Sequence, residues 1–191
     1  MRDEYLVRRG DFSGFLLGTR VLELAAIVGA RTRPEHAAVV ARLRDDTGEA
    51  VHLFAFHRSG LMVLDEDESQ PLSDLDALLA DPTRSAIGHL WLVSHPDRRL
   101  PQAPNWRVAP PADEVRAIHE AYAVRGYTEQ VALLTSDRGC LAVPIHDDAA
   151  RPVGAVTLST SISRLSVAAR HVGALRDAAR ALAPLGSLSG W

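Results

Sequence analysis

A chain of 191 residues, 47% hydrophobic and 24% charged, is long enough to bury a core and too ordinary in composition for a disordered or fibrous protein. Its 21 basic residues, all arginine, stand against 24 acidic ones, and the resulting net charge of −3 argues against a chain that binds nucleic acid through its own surface. No apolar run approaches the roughly 20 residues of a membrane span. No apolar core follows the charges of MRDEYLVRRG as in a secretory signal, and the lone Cys140 excludes an internal disulfide framework, so a cytoplasmic protein is expected.

Tyr5 to Phe15, with Gly10 and Gly14, reads as the remnant of a hairpin. Leu17, Val21, Leu24 and Val28 recur at spacings of three and four, which predicts an amphipathic helix over 16–29. A second helix opens at Thr32-Arg33-Pro34 and runs to about Arg44, stopped by Asp45-Asp46-Thr47-Gly48, with Gly48 suited to a left-handed cap. Strands are predicted over 50–56 and 61–65, then a short helix capped by Ser73 through Ala80, and a third strand over 87–93. Residues 94–111 hold five of the eleven prolines and read as an extended connection. Beyond it, Asp113 caps, or nearly caps, a helix that carries Val115, Ile118 and Tyr122 on one face and ends at Arg125-Gly126. Strands over 130–135, 140–146 and 153–160 follow, joined by turns too short for anything but antiparallel pairing. A closing helix over 166–183 brings Leu165, Ala169, Val172, Leu175, Ala179 and Leu182 into one stripe. The expected fold class is α+β, one antiparallel sheet of about six strands flanked by helices.

Side chains alternate across a strand, so each face can be read separately. In 140–146 one face carries Leu141, Val143 and Ile145, the other Cys140, Ala142, Pro144 and His146. In 153–160 the faces are Val156 and Leu158 against Ala155, Thr157 and Ser159. The aliphatic faces must meet helices. The small faces, with a thiol and two hydroxyls, suit either a concave pocket for a small polar ligand or an ordinary solvated sheet face.

Enzymatic signals are weak. Cys140 and His146 are six residues apart on one strand, about 20 Å at roughly 3.3 Å per residue, too far for a nucleophile and its base. The eight histidines are scattered without metal-ligand spacing, Gly10-Asp11-Phe12-Ser13-Gly14 has the wrong spacing for a nucleophile elbow, and no phosphate-binding glycine loop is present. No catalytic residue, metal or cofactor is expected.

Several segments resemble the effector-binding domain of the isocitrate lyase regulator (IclR) family of bacterial transcription factors. They are ARLRDDTGEAVHL at 41–53, VRAIHEAYAVRGY leading to RGCLAVPIHD across 115–147, and VGAVTLSTSISRL at 153–165. Arg125-Gly126-Tyr127, the Cys140 to Pro144 run and Ser163-Arg164-Leu165 are the most specific pieces. Tyr5-Leu6 with Arg8-Arg9, then Phe15 to Leu24, is similar to the last wing strand and linker helix that follow a winged helix-turn-helix, and the recognition helix itself is expected to be missing. The resemblance implies a GAF-like sheet whose pocket takes a small organic metabolite as effector, with Cys140, Thr157 and Ser159 on the family's pocket positions and Gln130 and Ala142 beside them. Gln130 stands where the family has an acidic residue, and the family's pocket-wall segment A-x-G-K-A-x-L-A has no counterpart, Ile87 to Arg99 standing in its place.

The expected organisation is a wing remnant and linker helix over 1–30, a GAF-like domain over 31–186 and a tail over 187–191. The function implied is effector sensing by a homodimer or tetramer that reaches DNA only through a missing or partner winged-helix domain, with no membrane contact. The alternatives are a ligand-free GAF-like dimerisation module and a complete regulator whose start codon was assigned too late.

Overall fold

The computed structural model describes residues 6–8, 15–17, 21, 36–57, 60–72, 74–95 and 110–183. The chain divides into two units, Met1–Ala37 and Ala38–Trp191. In the first, β1 (Leu6–Arg8) and β2 (Phe15–Leu17) form an antiparallel pair in the register Leu6 to Leu17 and Arg8 to Phe15. The hairpin read from the sequence is therefore present. The helix expected from Leu16 begins later, because Leu16 and Leu17 are spent on the ladder; Val21 is helical, and the rest of 16–29 lies outside the described residues.

Helix α1 spans residues 36–47, and Gly48 follows it at φ +65° with its N–H on the Arg44 carbonyl, the left-handed stop expected of a glycine there. The second unit holds five antiparallel strands: β3 (Ala50–His57), β4 (Gly60–Asp65), β5 (Thr128–Val131), β6 (Arg138–His146) and β7 (Pro152–Ser161), in the spatial order β4-β3-β7-β6-β5. The β3–β7 seam is tight at Gly154, where an added Cβ would stand 2.4 Å from the Phe54 carbonyl oxygen. Glycine there is a packing requirement.

Helices cover both faces. On one, Val51, Leu53, Leu141, Val143, Ile145, Val156 and Leu158 pack against Val40 and Leu43 of α1 and against the closing helices α5 (Leu165–Ala168) and α6 (Val172–Leu182). On the other, Phe54, Phe56, Ala142 and Ala155 meet Leu78 of α2 (Leu75–Ala80), Ala86, Ile87, Leu90 and Trp91 of α3 (Ala86–Ser94) and Ile118 of α4 (Ala112–Arg125). The α+β class with one antiparallel sheet between helices is borne out.

Four local expectations are corrected. Residues 87–93 form helix α3 instead of a strand, which leaves five strands in the sheet. Ala86 through Leu92 are all buried, so the run carries no amphipathic period, and a short apolar run alone does not separate helix from strand. The decisive local cue is Ser85, whose Oγ accepts the Gly88 N–H at 3.1 Å as an N-cap. Strand β5 covers 128–131 instead of 130–135, because Ala132 turns into positive φ and sends its N–H to the Arg138 carbonyl. Asp74 caps α2, accepting from the Ala77 N–H, while Ser73 lies outside the described residues; Asp113 sits inside the first turn of α4, where its charge favours the helix N-terminus without capping it. The closing helix is interrupted by a 3₁₀ turn at Ala169–His171, and that tighter winding puts Ala168 in the core in place of Ala169.

Candidate ligand-binding cavity

The floor of the candidate site is made by two cross-strand rows on the second sheet face. In the first, Ala50, Ser159, Cys140 and Gln130 stand side by side across β3, β7, β6 and β5; in the second, His52, Thr157, Ala142 and Thr128 do the same. Arg138 opens β6 on the same face, opposite Ser161. The roof is the N-terminus of α3 (Ser85, Ala86, Ile87) with Leu78 of α2, and the rim is Pro71 and Leu72 on one side and Leu134 and Thr135 on the other. Between them lies a cavity of about 40 Å³, room for roughly two or three water-sized groups.

Three contacts hold the roof. The buried Thr128 hydroxyl donates to the Ala86 carbonyl at 2.6 Å, Arg84 donates twice to the Leu133 carbonyl at 2.9 and 2.8 Å, and the His89 Nε2–H donates to the Thr83 carbonyl. Burial, the largest influence on His89, holds its pKa below the usual histidine value, so the ring is neutral.

The cavity is electropositive by construction. Arg138 donates from Nε to the Ser159 hydroxyl at 3.1 Å and from Nη2 to the Ser159 carbonyl at 3.3 Å. No carboxylate among the described residues pairs with it, and none lines the cavity. Gln130 is buried, and its side-chain Nε2 has no hydrogen-bond partner among the described residues. The first N–H groups of α3 add the partial positive charge of a helix N-terminus. His52, buried, has its pKa lowered to about 4, chiefly by desolvation, with Arg44 and Arg138 adding to that and Asp67 opposing it. It is therefore neutral near pH 7, with its Nδ1 accepting the Asp67 N–H at 3.2 Å. Burial pushes the Cys140 thiol up, outweighing the opposing Ser159 hydrogen bond and Arg138 charge, so it is a protonated wall group without nucleophilic character.

Of the residues singled out from the sequence, Gln130, Cys140, Thr157 and Ser159 are brought together on this wall. Ala142 is not: α3, anchored by Thr128 in the same cross-strand row, lies over it and buries it completely. Of the described residues in the segment at 87–99, Ile87 lines the cavity, and Ser85 and Ala86 just before it complete that wall. Arg138 and His52 are the groups that sequence reading missed. Both were signalled by alternation, since Arg138 is two residues before Cys140 and His52 two before Phe54. Arg164, in the Ser163-Arg164-Leu165 motif, lies elsewhere. Its Nε and Nη2 both reach Oε1 of the buried Glu49 at 2.7 Å, which ties the turn after β7 to the start of β3.

No protein-family model matches the chain. Among curated proteins it is 27% identical over 203 residues, 95% of this chain and 78% of the relative, to the glycerol operon regulatory protein of Streptomyces coelicolor. Among solved structures it is similar to the IclR protein of Thermotoga maritima (TM-score 0.63, 21% identity, 93% of this chain and 78% of that one). It is also similar to the C-terminal domain of the Escherichia coli transcriptional regulator KdgR (TM-score 0.62, 16% identity, 82% of this chain and 99% of that one). The resemblance read at residues 41–53 and 115–165 is thus matched in three dimensions, and the fold of this chain is that of the C-terminal domain of IclR-family transcriptional regulators.

Proposed function

We propose that the chain is the effector-sensing part of an IclR-type transcriptional regulator and that its cavity takes the head of a small organic anion. The observation that supports this is Arg138, a cation on the cavity wall with no carboxylate partner among the described residues, on a wall it shares with Gln130, whose amide nitrogen has no hydrogen-bond partner among those residues either. A partly buried charge is costly until an opposite charge joins it, and a carboxylate matches the planar donor fork of arginine. Cys140, Thr157 and Ser159 complete the wall as neutral groups. In this reading the protein acts in the cytoplasm as a homodimer or tetramer, and DNA is contacted by a winged-helix domain outside the residues that form the cavity. Among the described residues no helix is long and apolar enough to cross a membrane.

Titration calorimetry with acetate, pyruvate and lactate tests the reading. Arg138→Gln should weaken the binding carboxylate by about tenfold or more, as loss of a charge-assisted hydrogen bond requires. Binding by none of the three, or equal binding by the variant, refutes it. The small volume of the cavity favours one rival, a ligand-free dimerisation module; that reading wins if no anion binds while the chain pairs with itself.

A further inference from the structure

His52 faces two ways. Its ring borders the cavity beside Thr157, while its Nδ1 accepts the backbone N–H of Asp67 at 3.2 Å. An accepting Nδ1 on a neutral ring places the hydrogen on Nε2, and Nε2 has no partner among the described residues.

The segment hung on Nδ1 is a braced loop. The Asp67 carboxylate accepts the Ser69 N–H at 3.0 Å and the Ser69 hydroxyl at 2.7 Å, the Asp67 carbonyl accepts the Gln70 N–H at 3.2 Å, and Glu66 Oε1 accepts the Leu72 N–H at 2.8 Å. Its far end, Pro71 and Leu72, is cavity rim, and it leads into α2, whose Leu78 is cavity roof. The charged groups around His52 are Asp67 and Glu66 from this loop, Arg44 from α1 and Arg138 from β6.

We propose, resting on the anion reading above, that His52 relays occupancy of the cavity to the 66–72 loop. A carboxylate oxygen held beside Arg138 accepts the Nε2–H. The ring is thereby polarised, Nδ1 becomes a stronger acceptor, and the Asp67 N–H is held more tightly. The loop closes on the filled cavity. Transfer of a proton to His52 would do the opposite, because a protonated ring has no acceptor left for Asp67 and the loop would be released.

Nitrogen-15 NMR on the intact chain at neutral pH, titrated with acetate, tests the relay. In the free protein the ring nitrogens of His52 should report the neutral Nε2–H form. As acetate shifts the Cys140 and Ser159 resonances, hydrogen exchange at the Asp67 amide should slow by about twofold, the effect of strengthening its existing bond to His52 Nδ1. In His52→Leu, which can neither accept from Asp67 nor donate to the anion, acetate should bind more weakly, through Arg138, and at saturation leave Asp67 exchange unchanged. A ring with its hydrogen on Nδ1, or acetate binding with Asp67 exchange unchanged or faster, overturns the relay and leaves the anion site standing. The relay is equally overturned if His52→Leu keeps the slowing. Absence of any acetate shift at Cys140 and Ser159 overturns both. The wild-type measurements decide the matter even if the variant fails to fold.

Discussion

Acid should unload the fold through His52. In the folded chain this imidazole titrates near 4 because burial disfavours its charged form, whereas an unfolded histidine titrates near 6.5. Between those values the unfolded chain binds a proton that the folded chain does not, so lowering the pH favours unfolding. The contribution of His52 is complete above about pH 6.5 and is lost as the pH falls toward 4, and it integrates to about 3 kcal/mol over that window. The perturbation is His52→Gln, which cannot titrate but keeps an oxygen able to accept the Asp67 N–H. Urea unfolding followed by circular dichroism from about pH 7.5 to about pH 4.5 measures the difference between the two proteins. His89, also held neutral by burial, titrates in the same direction in both and cancels. The wild type should lose between about 2 and 3 kcal/mol relative to the variant across the series. Two stability curves that stay parallel within about 0.5 kcal/mol, the usual additivity error, would refute a buried neutral His52 and with it the tautomer that the relay requires.

Three further outcomes follow from packing and charge. Gly154→Ala should cost about 3 kcal/mol or more in urea unfolding, because the new methyl stands 2.4 Å from the Phe54 carbonyl and must push β3 and β7 apart. Arg164→Ala should cost about 1–3 kcal/mol, less than a fully buried pair because Arg164 is half exposed, and adding Glu49→Gln should recover most of the loss by removing the stranded charge. Cys140 should react with iodoacetamide at mildly alkaline pH more than about tenfold slower than an unstructured cysteine, since burial raises its pKa; a rate equal to that of the urea-unfolded chain would show the thiol to be open.

How much was legible in advance differs by element for physical reasons. The β6–β7 pair could be read residue by residue, because a period of two sorts Leu141, Val143 and Ile145 from Cys140 and Ala142 without knowledge of neighbours. That same period grouped Cys140, Thr157 and Ser159. It would have added Arg138 had the strand been started two residues earlier. Helix α3 was not legible by pattern: a helix buried on every side has no polar stripe, and its apolar run matches a central strand equally well. The extent of β5 was hidden by Ala132, which takes a backbone conformation that residue type does not announce.

From its sequence alone this protein had a determined class: an antiparallel sheet with helices around it, and a small polar sheet face distinct from an aliphatic one. These follow from side-chain period and turn chemistry, which act over a few residues. What covers the polar face was decided only in three dimensions. Thr128 takes hold of Ala86, 42 residues earlier in the chain, and so lays α3 over Ala142 and leaves Cys140 and Ser159 open to the cavity. The charge state of His52 was settled the same way, because desolvation depends on every element packed around a ring and no single stretch of sequence contains them all.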